Sequence, residues 1–434
     1  MKVSLNATPH NAQVAEPVQA NTDTVHAPVG RRVLMLVENN SYPQDYRVRR
    51  EARALADAGY QVTVISPARR GQPWRETIDG VRAYRYPAPR EASGFRDYIF
   101  EYGYSTVAIF ILSLLVYLRE GFDVIHAANP PDTLVLVAAA YKLLGKRFVY
   151  DHHDLVPELY CAIFADGGNR MMHRTLLALE KLSLRCADHV IATNQSYKVI
   201  EMERGGVPAE RITIVRNGPE LNGRRVAEPD PGLRQEGRTI IGYLGVMGFQ
   251  DGVDYLLRAL HHLVHDLGRT DVLCVLVGGF GGAQPSLKQL ATQLGLNDYV
   301  RFTGFVSDAD LQRYIASADI CVDPDPSNPF NDRSTMVKML EYMARGKPIV
   351  AFDLPEHRFT AQAAAMYVRP NDELEFARAL AQLMDDPARR QAMGVLGRRR
   401  VETELAWHYS AQNLVEAYRR LFPGPCERSE RRRM

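Results

Sequence analysis

The sequence predicts an α/β protein built from two doubly wound parallel-sheet domains that face one another across a cleft. Three observations carry this reading. Short apolar runs of strand length alternate with helical stretches from residue 31 almost to the end, the pattern of linked βαβ units. The alternation fails once, over 219–238, where prolines, glycines and charges replace any apolar period. Such a stretch reads as an interdomain linker. Polar residues also gather just after the strands, where the ligand crevice of an open parallel sheet lies.

The elements follow in order. Residues 33–37 read as a buried strand, 46–58 as a helix stopped by Gly59, and 61–66 as the next strand. Then come a strand at 123–126, a helix over 132–144 stopped by Gly145, and strands at 146–150, 189–193 and 212–215. The second half repeats the scheme. Strands are expected at 240–244, 272–277, 300–302, 320–322 and 348–352. Helices are expected at 253–267, 286–294, 308–316, 334–344 and 374–385, and through most of 388–421. Glycine after a helix supplies the left-handed stop. The domains then divide as a disordered leader (1–30), an N-terminal domain (31–222), a linker (223–237) and a C-terminal domain (238–405). A helix bracing the first domain (406–422) and a basic tail (423–434) follow.

Bulk properties narrow the class. A chain of 434 residues is long enough for two cores. A formal charge of +2 argues against nucleic-acid binding by bulk electrostatics. Five scattered cysteines without a CxxC suggest neither a disulfide framework nor a zinc site, as in a reducing cytoplasm. The leader has no signal-peptide pattern. From Tyr102 to Leu118 no charge occurs. The stretch is slightly short for a membrane span, so a buried core helix and a helix docked on the bilayer both remain open.

The densest chemistry lies in 328–350. A polar loop leads to a helix expected to start at Ser334, a good N-cap. The amides of Ser334 and Thr335, the helix dipole, Arg333 and Lys338 together suit an anionic diphosphate. Glu341 lies where a carboxylate can accept from a ribose diol. A capped core helix with an ion pair explains the same residues without a ligand. Asp323 and Asp325 imitate a magnesium pair, but their place after a strand favours loop shaping or sugar contact. Gly278, Gly279, Phe280, Gly281 and Gly282 fall short of a dinucleotide fingerprint. They read as a close-approach loop, with Phe280 flanking a base. In the first half, Asp151, His152, His153 and Asp154 with Glu158 form a titratable group at the expected crevice.

Leu340-Glu-Tyr-Met-Ala-Arg-Gly-Lys-Pro-Ile-Val350 closely resembles the donor-site signature of glycosyltransferase family 4, retaining enzymes of the GT-B fold. Asp45-Tyr-Arg-Val-Arg-Arg-Glu-Ala-Arg-Ala-Leu55, Phe122-Asp-Val-Ile-His126, Ala187-Asp-His-Val-Ile191 and Ile214-Val-Arg-Asn-Gly218 resemble other parts of that family. The resemblance runs from about residue 31 to 422 and is similar to the branch that makes bacterial surface polysaccharides. It implies two Rossmann-like domains and sugar transfer with retention. The donor would be a UDP- or GDP-linked sugar acting as co-substrate, with no cofactor and no metal. It implies donor contacts at Gly245, Gly248, Gly279, Phe280, Asn331, Asp332, Arg333, Ser334, Thr335, Lys338 and Glu341. Chemistry would involve His126, His153 and Asp154, and the acceptor would meet Asn39, Tyr42, Asp45, Asn129 and Glu158. The family's first donor-site glutamate falls on Arg333 here, so Asn331 or Asp332 stands in for it. Its Arg and Lys after the first C-domain strand are also missing, so Arg333 and Lys338 are expected to supply the charge. The implied acceptor is a saccharide or polyprenyl-diphosphate-linked saccharide, met in the cytoplasm or at the inner face of the membrane with peripheral contact. A nucleotide-sugar epimerase or hydrolase and a non-catalytic partner of the same fold are the alternatives.

Overall fold

The structure is a computed structural model that describes residues 30–89, 95–164, 168–221, 227–234, 237–279 and 284–422. Most of the expected leader, the basic tail and Phe280 lie outside these residues.

The first domain runs β1 (Arg32–Leu36), α1 (Tyr46–Asp57), β2 (Gln61–Ala68), β3 (Arg75–Ile78), β4 (Val81–Pro87), α2 (Phe95–Arg119), β5 (Val124–Ala128), α3 (Leu134–Lys142), β6 (Arg147–His152), α4 (Val156–Ile163), α5 (Arg170–Cys186), β7 (His189–Ala192), α6 (Gln195–Gly205) and β8 (Ile212–Ile214). Its sheet has the order β3-β4-β2-β1-β5-β6-β7-β8. Every pairing is parallel except β3 with β4. Successive β1 side chains point to opposite faces. Leu34 and Leu36 join one apolar layer, under α2, α3, α5 and α6. Val33 and Met35 join the other, under α1 and the last helix. A sheet covered on both sides needs strands that are apolar throughout, as β1 is.

The second domain runs α7 (Pro231–Arg234), β9 (Thr239–Leu244), α8 (Val253–His261), β10 (Val272–Val277), α9 (Gln284–Gln293), β11 (Val300–Gly304), α10 (Asp308–Ser317), β12 (Ile320–Asp323), α11 (Val337–Ala344), β13 (Ile349–Phe352), α12 (Pro355–Ala361), β14 (Ala365–Val368), α13 (Glu373–Asp385), α14 (Pro387–Arg400) and α15 (Trp407–Leu421). Its parallel sheet has the order β11-β10-β9-β12-β13-β14. Strand β10 is buried along its whole length. The expected fold class, two doubly wound α/β domains, is present.

Several local expectations need correction. The hairpin β3–β4, helices α4, α5 and α12, and strand β14 were not expected. Strand β3 (Arg-Glu-Thr-Ile) is a half-exposed edge with no apolar run to betray it. The stretch 388–421 is mostly helical, and the last helix begins as a separate element close to the expected position 406. The break falls at Ala406, whose backbone is extended (φ −65°, ψ 152°), and α15 then packs on α1, β7 and β8. The chain thus crosses between domains twice, side by side: the Trp407 N–H donates to the Pro219 carbonyl at 3.0 Å. Gly218 lies so close to the second crossing that a Cβ there would meet the Leu405 carbonyl at 1.9 Å.

Candidate active site

Residues just past the strands of one domain touch those of the other. Asn194, after β7, is fully buried. Its carbonyl oxygen caps α6 by accepting from the Tyr197 N–H at 2.8 Å. Its amide donates across the domain boundary to the Arg333 carbonyl (2.7 Å) and the Thr335 hydroxyl (3.0 Å). Ser196 donates to Glu356 at 2.6 Å. Arg216 reaches Thr335 at 3.4 Å and lies 3.8 Å from Glu356. Phe330 packs against the apolar core of the first domain. The loop between β12 and α11 is therefore held against the N-terminal strand ends.

On the N-terminal side, β6 ends in a charged cluster. Two Arg47 donors hold the buried Asp151 carboxylate at 2.6 and 2.8 Å. The Nδ1 of His153 lies 3.2 Å from the same carboxylate. Burial alone would raise the Asp151 carboxyl, but Arg47 and then His153 outweigh it and hold it well below the usual range. Burial also opposes protonation of His153, yet Asp151 raises it. The His153 side chain is 13% exposed. With Nδ1 turned to Asp151, its Nε2 is the ring nitrogen left for the cleft.

The other expected residues of this half are placed differently. His126 is completely buried. Its Nε2 lies 3.3 Å from Glu51 and its Nδ1 2.7 Å from the Tyr418 hydroxyl. Burial disfavours its charge, but Asp151 and Glu51 raise it to about 9. It is a core imidazolium out of reach of an acceptor. Asn129 is also buried; its oxygen accepts from the N–H groups of His153 (2.8 Å) and Asp154 (3.1 Å), and its amide donates to the Asp154 carbonyl (2.8 Å). It braces the turn that carries His153 and the half-buried Asp154. Tyr42 is buried under α1. Asp45 is the N-cap of α1, accepting from the Val48 N–H at 2.8 Å. Glu158 is ion-paired with Arg204. Of the expected acceptor residues, Asn39 is the exposed one.

On the C-terminal side, glycine lets the loops after β9 and β10 meet. Gly278 has φ +138°, and a Cβ there would stand 2.0 Å from the Gly245 carbonyl oxygen. The Met247 N–H donates to the Gly279 carbonyl at 2.7 Å, and the Gly248 N–H to Asp251 at 2.8 Å. The amide of buried Asn331 donates to the Gln250 carbonyl at 2.9 Å, tying this region to the β12–α11 loop. Asp332 accepts from Ser327 at 3.3 Å, and Arg333 donates to the Pro329 carbonyl at 3.0 Å.

Two donor-side expectations are corrected. Helix α11 starts at Val337, and no side chain caps it. The Ser334 hydroxyl instead donates to the Phe330 carbonyl at 2.8 Å. Lys338 is not a cation waiting for phosphate. Its ammonium lies 2.5 Å from Asp325 and 3.2 Å from Asp323, nearly buried. Burial opposes its charge, but the two carboxylates raise its pKa well above the ordinary value. Asp323 and Asp325 thus hold a lysine inside the loop. Glu341 pairs with Arg345 at 2.5 Å. It also lines a cavity of about 260 Å³, with Gln312, Arg345, Lys347 and linker residues Ala227 and Pro229.

Two buried groups bring a histidine and carboxylates within 4.8 Å of one another: Glu51–His126–Asp151 and Asp323–Asp325–His357. Each already contains a cation, Arg47 in the first and Lys338 in the second. Arg216 and Glu356 were not expected at the site, and Asn194 was expected only as one of the polar residues just after the strands, with no role given to it. Asn194 and Glu356 share one signal, a polar side chain within a few residues of a strand's end.

Residues 44–218 match the family described as glycosyl transferase 4-like domain, and residues 238–386 match glycosyl transferases group 1. Both halves of the chain thus match glycosyltransferase domains. A D-inositol 3-phosphate glycosyltransferase from Thermobispora bispora is 28% identical over 54% of this glycosyltransferase, which spans 56% of that relative's length. The MMP alpha-(1->4)-mannosyltransferase of Mycolicibacterium hassiacum is 25% identical over 86% of this chain and 94% of its own. Among solved structures, sucrose-phosphate synthase from Thermosynechococcus elongatus superposes with a TM-score of 0.75 at 22% identity, over 90% of this chain and 99% of that one. HepE of Anabaena in complex with UDP-glucose gives 0.65 at 18% identity, over 89% and 99%. These likenesses carry the GT-B fold.

Proposed function

We propose that this glycosyltransferase transfers a hexosyl group, with retention, from a UDP- or GDP-linked sugar to a saccharide or lipid-linked saccharide. The setting is the cytoplasm, at the inner face of the membrane, in assembly of a bacterial surface polysaccharide. The supporting observation is the bridge from Asn194 to Thr335, which holds the donor-side loop against the strand ends that carry His153. The donor lies against the glycine-lined ends of β9 and β10, with its ribose at Glu341. Without a metal, the leaving diphosphate needs fixed positive charge. Arg216, Arg333 and the uncapped amides of α11 take this role, since Lys338 is engaged by Asp323 and Asp325. The acceptor hydroxyl approaches from the His153 and Asp154 side.

A calorimetry panel of UDP, GDP and ADP, with and without magnesium, tests this. One nucleotide should bind without metal, and Glu341→Ala should weaken it. NMR of the product's anomeric proton should show the donor's configuration. A second reading, a non-catalytic GT-B partner, is favoured by one feature: the stretch 245–254 after β9 has neither Arg nor Lys, and Lys338 is paired with Asp323 and Asp325. Absence of binding by every nucleotide would select it.

A further inference from the structure

Helix α2 has an apolar inner face and an apolar outer face. The inner face buries Ser105, Ile109, Ser113 and Val116. It is fastened to the domain: Ser105 donates to Glu38 at 2.8 Å, and the hydroxyls of Thr106 and Thr133 lie 2.8 Å apart, as do those of Ser113 and Tyr141 at 2.9 Å. These bonds fasten α2 to the domain, although by length and composition alone 100–119 is long and apolar enough to cross a membrane. The buried-core expectation holds for this face alone.

The outer face carries Phe100, Val107, Ile111, Leu114 and Leu118, all exposed, Leu118 by 82%. Their spacing puts them on one stripe, roughly 27 Å long at 1.5 Å per residue. A helix on the surface of a soluble domain normally turns polar residues outward; this one does not. The stripe continues onto the neighbouring helix α3 through Leu136 and, at its end, Leu143 (89% exposed) and Leu144. Beside α3 lies α5. It exposes Arg170, Arg174, Lys181 and Arg185. Its one acid, Glu180, is turned inward to His152 and Arg204.

We propose that the outer face of the α2–α3–α5 layer docks this enzyme on an anionic lipid bilayer, with the leucine stripe in the acyl boundary and the α5 cations on headgroup phosphates. Apolar residues beside a row of exposed Lys and Arg are the makeup of an interfacial helix. A second copy of this face would bring the α5 cations of both together, which disfavours self-association as its cover. The inference rests on the proposed lipid-linked acceptor and names the surface through which such an acceptor is approached.

The test needs no sugar. The full chain is sedimented with vesicles of phosphatidylcholine alone and with vesicles containing an equal part of phosphatidylglycerol. Binding to the anionic vesicles is expected, weakening as salt rises. Ile111→Glu with Leu118→Glu should abolish it, and Arg174→Glu with Lys181→Glu should reduce it at least about tenfold, with unchanged melting temperature and nucleotide affinity. Failure to bind either vesicle would overturn the proposal. So would binding that neither double variant alters, or a dimer in sedimentation velocity that Leu118→Glu converts to monomer. Nucleotide binding measured on the same samples separates failure of docking from failure of the enzymatic reading.

Discussion

The hydroxyl of Tyr418, on the last helix, lies 2.7 Å from Nδ1 of His126, on the strand β5 in the middle of the first sheet. The two residues are 292 positions apart, and their rings stack at 18°. Through His126 the returning helix reaches Glu51 and Asp151, and through Asp151 it reaches His153 at the cleft. Removing this hydroxyl leaves a buried imidazolium N–H without an acceptor. Tyr418→Phe should cost about 1–3 kcal/mol in denaturant unfolding, with the fold retained.

Two buried histidines make stability fall at alkaline pH. His126 is raised from 6.5 to about 9, and His152, held between Glu180 and Glu201 against its burial, to about 10. Both folded values lie above the unfolded one. Their stabilisation is therefore complete below about pH 6.5 and is lost as pH rises through 9 and then 10. Melting temperature should decline across that window. In His152→Gln the decline should be shallower, and an unchanged slope would remove His152 from the account.

Lys338 is predicted to be structural as well as near the donor. Lys338→Met leaves Asp323 and Asp325 buried without their cation. Breaking such a pair from one side costs about 3–5 kcal/mol, measurable by urea unfolding. A lysine that served only to bind phosphate would leave stability unchanged and lower donor affinity alone.

Glu341 should behave in the opposite way. Its partner Arg345, one turn away and half-buried with it, also donates to Gln312 at 2.6 Å and to the Glu341 backbone carbonyl at 2.8 Å, so it keeps acceptors when the carboxylate is removed. Glu341→Ala should barely move the melting temperature. Nucleotide affinity should fall about tenfold or more, the value of a hydrogen bond to a charged group.

Gly278→Ala tests the loop packing. The new Cβ meets the backbone oxygen of Gly245, which cannot rotate away, at a φ that disfavours side chains. Destabilisation of about 1–3 kcal/mol is expected, together with loss of nucleotide binding as the loops after β9 and β10 separate.

The sequence by itself determined the fold class, because strand-length apolar runs and helix periods are local properties of the chain. It also marked the cluster at 151–154 and the segment 328–350, because both place dense polar chemistry after a strand. Local sequence could not say which of those groups face the cleft. His126 and His153 look equally reactive in the sequence, yet one is walled in by Glu51 and Tyr418 while the other is held by Asp151 and stays partly exposed. Lys338 and Glu341 share one short helix, but Lys338 turns inward to two carboxylates that precede it by a loop. The clasp of Asn194 on Thr335 and of Ser196 on Glu356 joins residues more than a hundred positions apart. Burial and ion pairing between distant segments depend on how the two domains pack, and only the tertiary structure decided them.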